Sequence, residues 1–281
     1  MKRFLSFAAI LVLAAGCNLR TATYSDEQAT PLGEGQTDSL LQSVSIEYPV
    51  KGAKAEVLAK IEDGILNTVF DMEELPGSVE ETALRYEDNL KDEYFNEYEG
   101  QEGGASARTW EDHVNGYFSG RYKQFLSYMV ELYSFRGGVH GINTMTPVVF
   151  DKNTGDIVPE EAFFADGYRE PVAALLRARL PDALDNDKDA LAAVFEPDLL
   201  GPNGLYEVTK DGVTWYYQPY DIAPYYLGVI SISIPWSALK PSGRYWPPTV
   251  CKEQASASSA CTTKRACMSC TARSSPTGIT S

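Results

Sequence analysis

The chain has 281 residues and a formal charge of −15, from 39 Asp and Glu against 24 Lys and Arg. That balance excludes a phosphate-neutralising nucleic-acid surface, which needs Lys and Arg. It also argues against docking on anionic lipid headgroups; the acidic charge either favours a basic partner by steering or merely keeps the protein soluble.

Met1–Cys17 reads MKRFLSFAAILVLAAGC. Lys2 and Arg3 form a basic start, Phe4–Leu13 an apolar stretch too short to span a membrane, and small residues then lead to a cysteine. This reads as a signal peptide over residues 1–17. Ala14-Ala15-Gly16-Cys17 resembles a bacterial lipobox, so Cys17 is expected to be the first mature residue and to carry the lipid; the alternative is an ordinary signal peptide with a chance cysteine. The expected location is the cell envelope, on the outer membrane or facing the periplasm if the cell is Gram-negative. Residues 18–43 are polar, lack apolar periodicity and read as a flexible tether.

Val44–Val50 is expected to be the first strand. Ala53–Phe70 has helical apolar spacing at Val57, Ile61, Ile65, Val69 and Phe70. The segment Asp71–Glu102 holds twelve Asp or Glu against Arg85 and Lys91, a net of 2 − 12 = −10. Its part from Val79 to Tyr98 reads as an amphipathic helix with Leu84, Leu90, Tyr94 and Tyr98 on one side. The acidic run is either a solvated helix face or a docking surface for something basic.

Trp110–Tyr122 and Gln124–Phe135 are expected to be antiparallel strands. They lead to Arg136-Gly137-Gly138-Val139-His140-Gly141, a glycine corner carrying one of the two histidines. Met145–Phe150 follows as a strand, then the turn Asp151–Gly155 and a return strand at Ile157-Val158. Helical patterns cover Tyr168–Leu180 and Lys188–Phe195. Tyr206–Thr209 and Val213–Tyr217 read as a hairpin, and Leu227–Ile234 as the last strand. Strands, then helices, then strands imply an α+β fold, a mostly antiparallel sheet with helices packed on it.

The blocks GGVHG (Gly137–Gly141), FDKNTGDIV (Phe150–Val158) with EAFF after it, and WYYQPYDIAPYYLGVISISIPWSAL (Trp215–Leu239) together resemble the RsiV-like domain family of bacterial envelope proteins. That domain forms the outer part of an anti-sigma factor and also sits beside the deacetylase of PdaC-type peptidoglycan enzymes. The resemblance implies a companion domain over residues 44–135 and an RsiV-like domain over 136–240. It implies a non-catalytic binding role, with lysozyme as a partner of the anti-sigma members. The lipobox stands where those proteins have a spanning helix, so transmembrane signalling is not expected. The metal motif of the deacetylases cannot be assembled from His113 and His140, and neither a metal nor a cofactor is expected.

His140 is the foremost site candidate, since a histidine can act as base or ligand; the bland alternative is a histidine capping backbone at the corner. Asp221 is expected to accept turn N–H bonds between Pro219 and Pro224. Tyr220 and Tyr225 are expected to anchor a partner or stack on sugar, and strand alternation assigns half of this region's tyrosines to the core. Three functions compete: a binder of lysozyme or another basic protein, a peptidoglycan or glycan module, and an enzyme centred on His140. The segment after Pro241 breaks the pattern. It holds Cys251, Cys261, Cys267 and Cys270, carries a net of 5 − 1 = +4 from Ser242, and lacks apolar periodicity. A disulfide-linked appendage, a metal knuckle and an out-of-frame end are its three readings, and the last is preferred.

Overall fold

Alternation of apolar and polar residues builds the first sheet. The computed structural model describes residues 19–34, 37–72, 75–99 and 108–239. Cys17 and the cysteine-bearing tail lie outside those residues. Strand β1 (Arg20–Pro31) pairs antiparallel with β2 (Ser39–Lys51) from Thr21↔Pro49 to Pro31↔Ser39. The tether expected at 18–43 is therefore corrected to a strand and the start of its partner. Its Ser, Glu and Ala positions face solvent, as the outer row of a sheet edge does, and that polarity is what reads as a linker. The first strand expected at Val44–Val50 is the second half of β2.

In β2, Leu40, Gln42, Val44 and Ile46 point inward while Leu41, Ser43 and Ser45 stay half-exposed. Beside it lies β3 (Trp110–Tyr122), paired parallel from Leu40↔Trp110 to Ile46↔Gly116. A parallel pair needs a long crossover. Here it contains α1 (Ala55–Phe70) and α2 (Val79–Tyr98). Ser78 caps α2: its hydroxyl accepts from the Glu81 N–H, and the Glu81 carboxylate accepts from the Ser78 N–H at 2.9 Å, a reciprocal box. The buried side of α2 is Val79, Thr82, Ala83, Glu87, Leu90 and Tyr94. Leu84, expected inside, is 43% exposed.

Strands β4 (Phe125–Phe135) and β5 (Ile142–Asp151) complete the order β1-β2-β3-β4-β5. Every neighbouring pair except β2–β3 is antiparallel. After β5, Ile157 makes one bridge to Phe150, so the expected return strand is a single pairing. The chain continues through α3 (Glu160–Phe163), α4 (Arg169–Ala183) and α5 (Lys188–Ala192). A second antiparallel sheet has the order β6 (Tyr206–Val208), β7 (Gly212–Tyr217), β8 (Ile230–Pro235) and ends in α6 (Trp236–Leu239). The last strand begins at Ile230 because Tyr225–Leu227 is a 3₁₀ turn.

Residues Phe125–Val130 of β4 are buried on both faces. One face joins the core of α1 and the five-stranded sheet, through Leu126, Tyr128 and Val130 beside Ile61, Ile65 and Phe150. On the other, Phe125 joins the core around Trp215, Phe163 and Leu176. The Ser127 hydroxyl sits between the sheets, accepting from the Val208 N–H and donating to the Val208 carbonyl, both at 2.9 Å. A boundary expected between residues 135 and 136 would thus cut β5 from the sheet it completes. The architecture is α+β with mostly antiparallel sheets.

Candidate functional site

The β4–β5 connection is the glycine corner. Gly137 and Gly138 have φ of +79° and +100°, which a residue with a Cβ adopts at a cost. They push Val139 out until it is 96% exposed. His140 then turns onto Tyr225: the ring centroids are 3.7 Å apart and the planes differ by 9°. Its Nδ1 lies 3.1 Å from the Gly141 carbonyl oxygen. A carbonyl only accepts, so Nδ1 carries the proton, and in the neutral ring the lone pair is on Nε2. Gly141 is fixed by space: a Cβ there would lie 2.5 Å from the Tyr133 ring.

Tyr225 and Tyr220 come from the loop between β7 and β8. Gln218 clamps that loop to the edge of β5. Its amide Nε2 donates to the Met145 carbonyl at 2.6 Å, and its Oε1 accepts the Met145 N–H at 3.0 Å, so one side chain pairs like a strand residue. Asp221 organises the turn, since its Oδ2 accepts the Gln218 N–H at 2.7 Å. The Asp221 N–H donates to the Gln218 carbonyl and the Tyr220 N–H to the Ala223 carbonyl, both at 3.0 Å. Tyr220 is held at φ +74°, a strained conformation for a residue with a side chain. Its ring centroid is 6.1 Å from that of Tyr225. Three of the four expected residues, His140, Tyr220 and Tyr225, therefore form one aromatic cluster, and Asp221 shapes the turn that carries it. Tyr216 and Tyr217 are buried, whereas Tyr220, Tyr225 and Tyr226 are 56%, 38% and 64% exposed. Strand alternation does not make that division: Tyr216 and Tyr217 are adjacent in β7 and both buried, and the three exposed tyrosines lie in the loop that follows it.

Arg136 fastens the start of the corner. Its Nη2 donates to Asp112 Oδ2 at 3.0 Å, and its guanidinium lies 5.0 Å from the Trp110 ring centroid. Tyr86 donates to the other oxygen of Asp112 at 2.7 Å. Burial pushes the Asp112 carboxyl above its usual range, while Tyr86 and Arg136 pull it back.

Sequence reasoning misses a second constellation. Ser43 Oγ lies 2.7 Å from His113 Nδ1, and His113 Nε2 is 3.7 Å from Glu111 Oε2. The His113 ring also stacks on Tyr133 at 5.9 Å. These groups meet because Ser43 and His113 are register partners in the parallel pair. No sequence spacing over seventy positions could show that. The order Ser–His–Glu has the form of a nucleophile with its base. Yet Ser43 sits mid-strand, with β2 paired on both sides. Its neighbouring backbone N–H groups belong to the ladders rather than to a cradle for an oxyanion. We read the set as a polar cross-strand row. Among the described residues no group of three His, Cys, Asp or Glu gathers as a metal site.

Residues 161–237 match the family model described as a protein of unknown function, DUF3298. The matched segment contains Tyr220, Asp221 and Tyr225, while His140 reaches them from outside it. Two solved structures share the fold. One is a member of the DUF3298 family from Bacteroides fragilis, with 21% identity and a TM-score of 0.70 over 79% of this chain and 92% of that one. The other is a DUF3298 family protein from Pseudomonas aeruginosa, with 18% identity and a TM-score of 0.60 over 83% of this chain and 97% of that one. A search of curated proteins returns no match.

Proposed function

We propose that this chain is a non-catalytic binding protein of the bacterial cell envelope. In this reading a lipid on Cys17 tethers it, and the corner formed by His140, Tyr220 and Tyr225 seats a basic protein partner of the lysozyme type. The observation that carries the reading is the corner itself. Exposed tyrosines are held rigidly by the Gln218 clamp, the Asp221 turn and the His140 stack. Rigid tyrosines present large contact area at small entropic cost and are frequent hot spots of interfaces. The formal charge of −15 adds steering toward a cationic partner.

An enzymatic role for His140 has less support. Its contacts are a backbone carbonyl and a tyrosine ring, neither of which is a nucleophile or an orienting carboxylate. A glycan-binding role is the second reading. It is favoured by the open faces at Tyr220 and Tyr226 and by the polar row around His113 and Tyr133.

Calorimetric titration with a c-type lysozyme at low and moderate salt separates the two. Saturable binding that weakens with salt is expected for the protein partner. Absence of heat at both salts rejects that partner, and salt-independent binding of peptidoglycan fragments favours the glycan. Mass spectrometry of the mature N-terminus tests the anchor, with an acylated Cys17 expected.

A further inference from the structure

A pocket of about 750 Å³ opens between the C-terminal end of α1, the middle of α2 and Arg136. Its volume is in the range of small-ligand sites. Part of its wall is apolar: Phe70, Met72, Leu75 and Leu90. The rest carries charges of both signs. Arg85, Asp71 and Glu93 line it, and among the described residues none of the three has an ion-pair partner. Opposite charges that share one pocket without neutralising each other suit a ligand that brings both signs.

Arg136 supplies the preorganised element. Asp112, which is 1% exposed, and the Trp110 ring hold its guanidinium from two directions. It also lines the pocket, and its guanidinium has five N–H donors, more than its contacts with Asp112 and Tyr86 use. A fixed arginine loses little entropy on gripping a carboxylate with paired hydrogen bonds.

We propose that this pocket binds a short peptide through its free termini. Arg85 and Arg136 take the terminal carboxylate, Asp71 and Glu93 take the terminal ammonium, and the apolar wall takes a side chain. The site shares only Arg136 with the glycine corner and none of His140, Tyr220 and Tyr225, so its test, made at Arg85, does not depend on the reading given above for that corner.

The experiment is titration of the full chain with the dipeptide Ala-Leu, with N-acetyl-Ala-Leu and with Ala-Leu amide. Saturable binding of Ala-Leu is expected, and each capped form should bind at least about tenfold more weakly, because each loses one charged contact. Arg85 is exposed and, among the described residues, has no ion-pair partner, so Arg85→Ala should leave the melting temperature unchanged and weaken Ala-Leu about tenfold. No saturation by Ala-Leu, equal binding of the capped forms, or unchanged affinity in Arg85→Ala would each overturn the proposal.

Discussion

Two residues of the corner are held by opposite constraints. Gly141 has no room: the Tyr133 ring occupies the place of a Cβ. Gly141→Ala should therefore displace the half-buried Tyr133 ring and cost about 1 kcal/mol of stability, read from denaturant midpoints. Tyr220 has room but strained backbone at φ +74°. Tyr220→Gly removes the exposed ring while relieving that strain, so its stability should stay within about 1 kcal/mol of wild type. The glycine corner makes His140 legible, and the proline-flanked block that carries the family resemblance makes Tyr220, Asp221 and Tyr225 legible. Their meeting is not legible, since it depends on Gln218 reaching the edge of β5 from 73 positions away. His113 stays hidden for the same reason, its partner Ser43 lying 70 positions earlier.

Helix α2 carries the clearest pH signal. Glu87 is fully buried against β1 and β2, and burial, with Asp26 adding repulsion, pushes its carboxyl up to about 7. Gln28 donates to both Glu87 and Asp26 from β1, the Gln42 amide of β2 donates to the Glu87 carbonyl, and Lys91 and Asp88 flank it on α2. The Tyr24 hydroxyl of β1 also faces it and is pushed up, by burial first and then by Glu87. The folded value lies above the ordinary 4.5, so this contribution is complete below that value and is lost as pH rises through about 7. Thermal unfolding should show stability falling between about pH 5 and 8, by about 3 kcal/mol at most. Glu87→Gln should flatten that slope, and an unchanged slope would assign it elsewhere. At the other end of the pattern, Ser78→Ala should cost about 1 kcal/mol by removing the N-cap. The helix limits of α2 are readable from the apolar spacing of Leu90, Tyr94 and Tyr98, whereas the Ser78 cap is seen only in the structure. Strand β1 is not readable, because an edge strand with a polar outer row has the composition of a linker.

For the whole molecule, β4 decides the organisation. Both faces of Phe125–Val130 are covered, one by the core around α1 and one by the core around Trp215. A fragment of residues 19–135 would lack β5 and the second sheet, leaving Met129 and Phe125 exposed. It should show no cooperative unfolding transition, whereas residues 19–239 should show one. Ser127→Ala would leave the buried Val208 N–H and carbonyl without partners and should cost about 1–3 kcal/mol. The α+β class follows from element order, but the division into two sheets does not, since strand lengths say nothing of which edges remain unpaired. The same cover places the aromatic corner where β4 runs out from between the cores, beside the loop that follows β7. The measurement that tests this corner most directly is the lysozyme titration repeated with Tyr220→Gly/Tyr225→Ala at equal ionic strength. A loss of at least about tenfold in affinity with folding intact is the expected result. Wild-type affinity in the double variant would contradict the assignment of the corner as the binding surface.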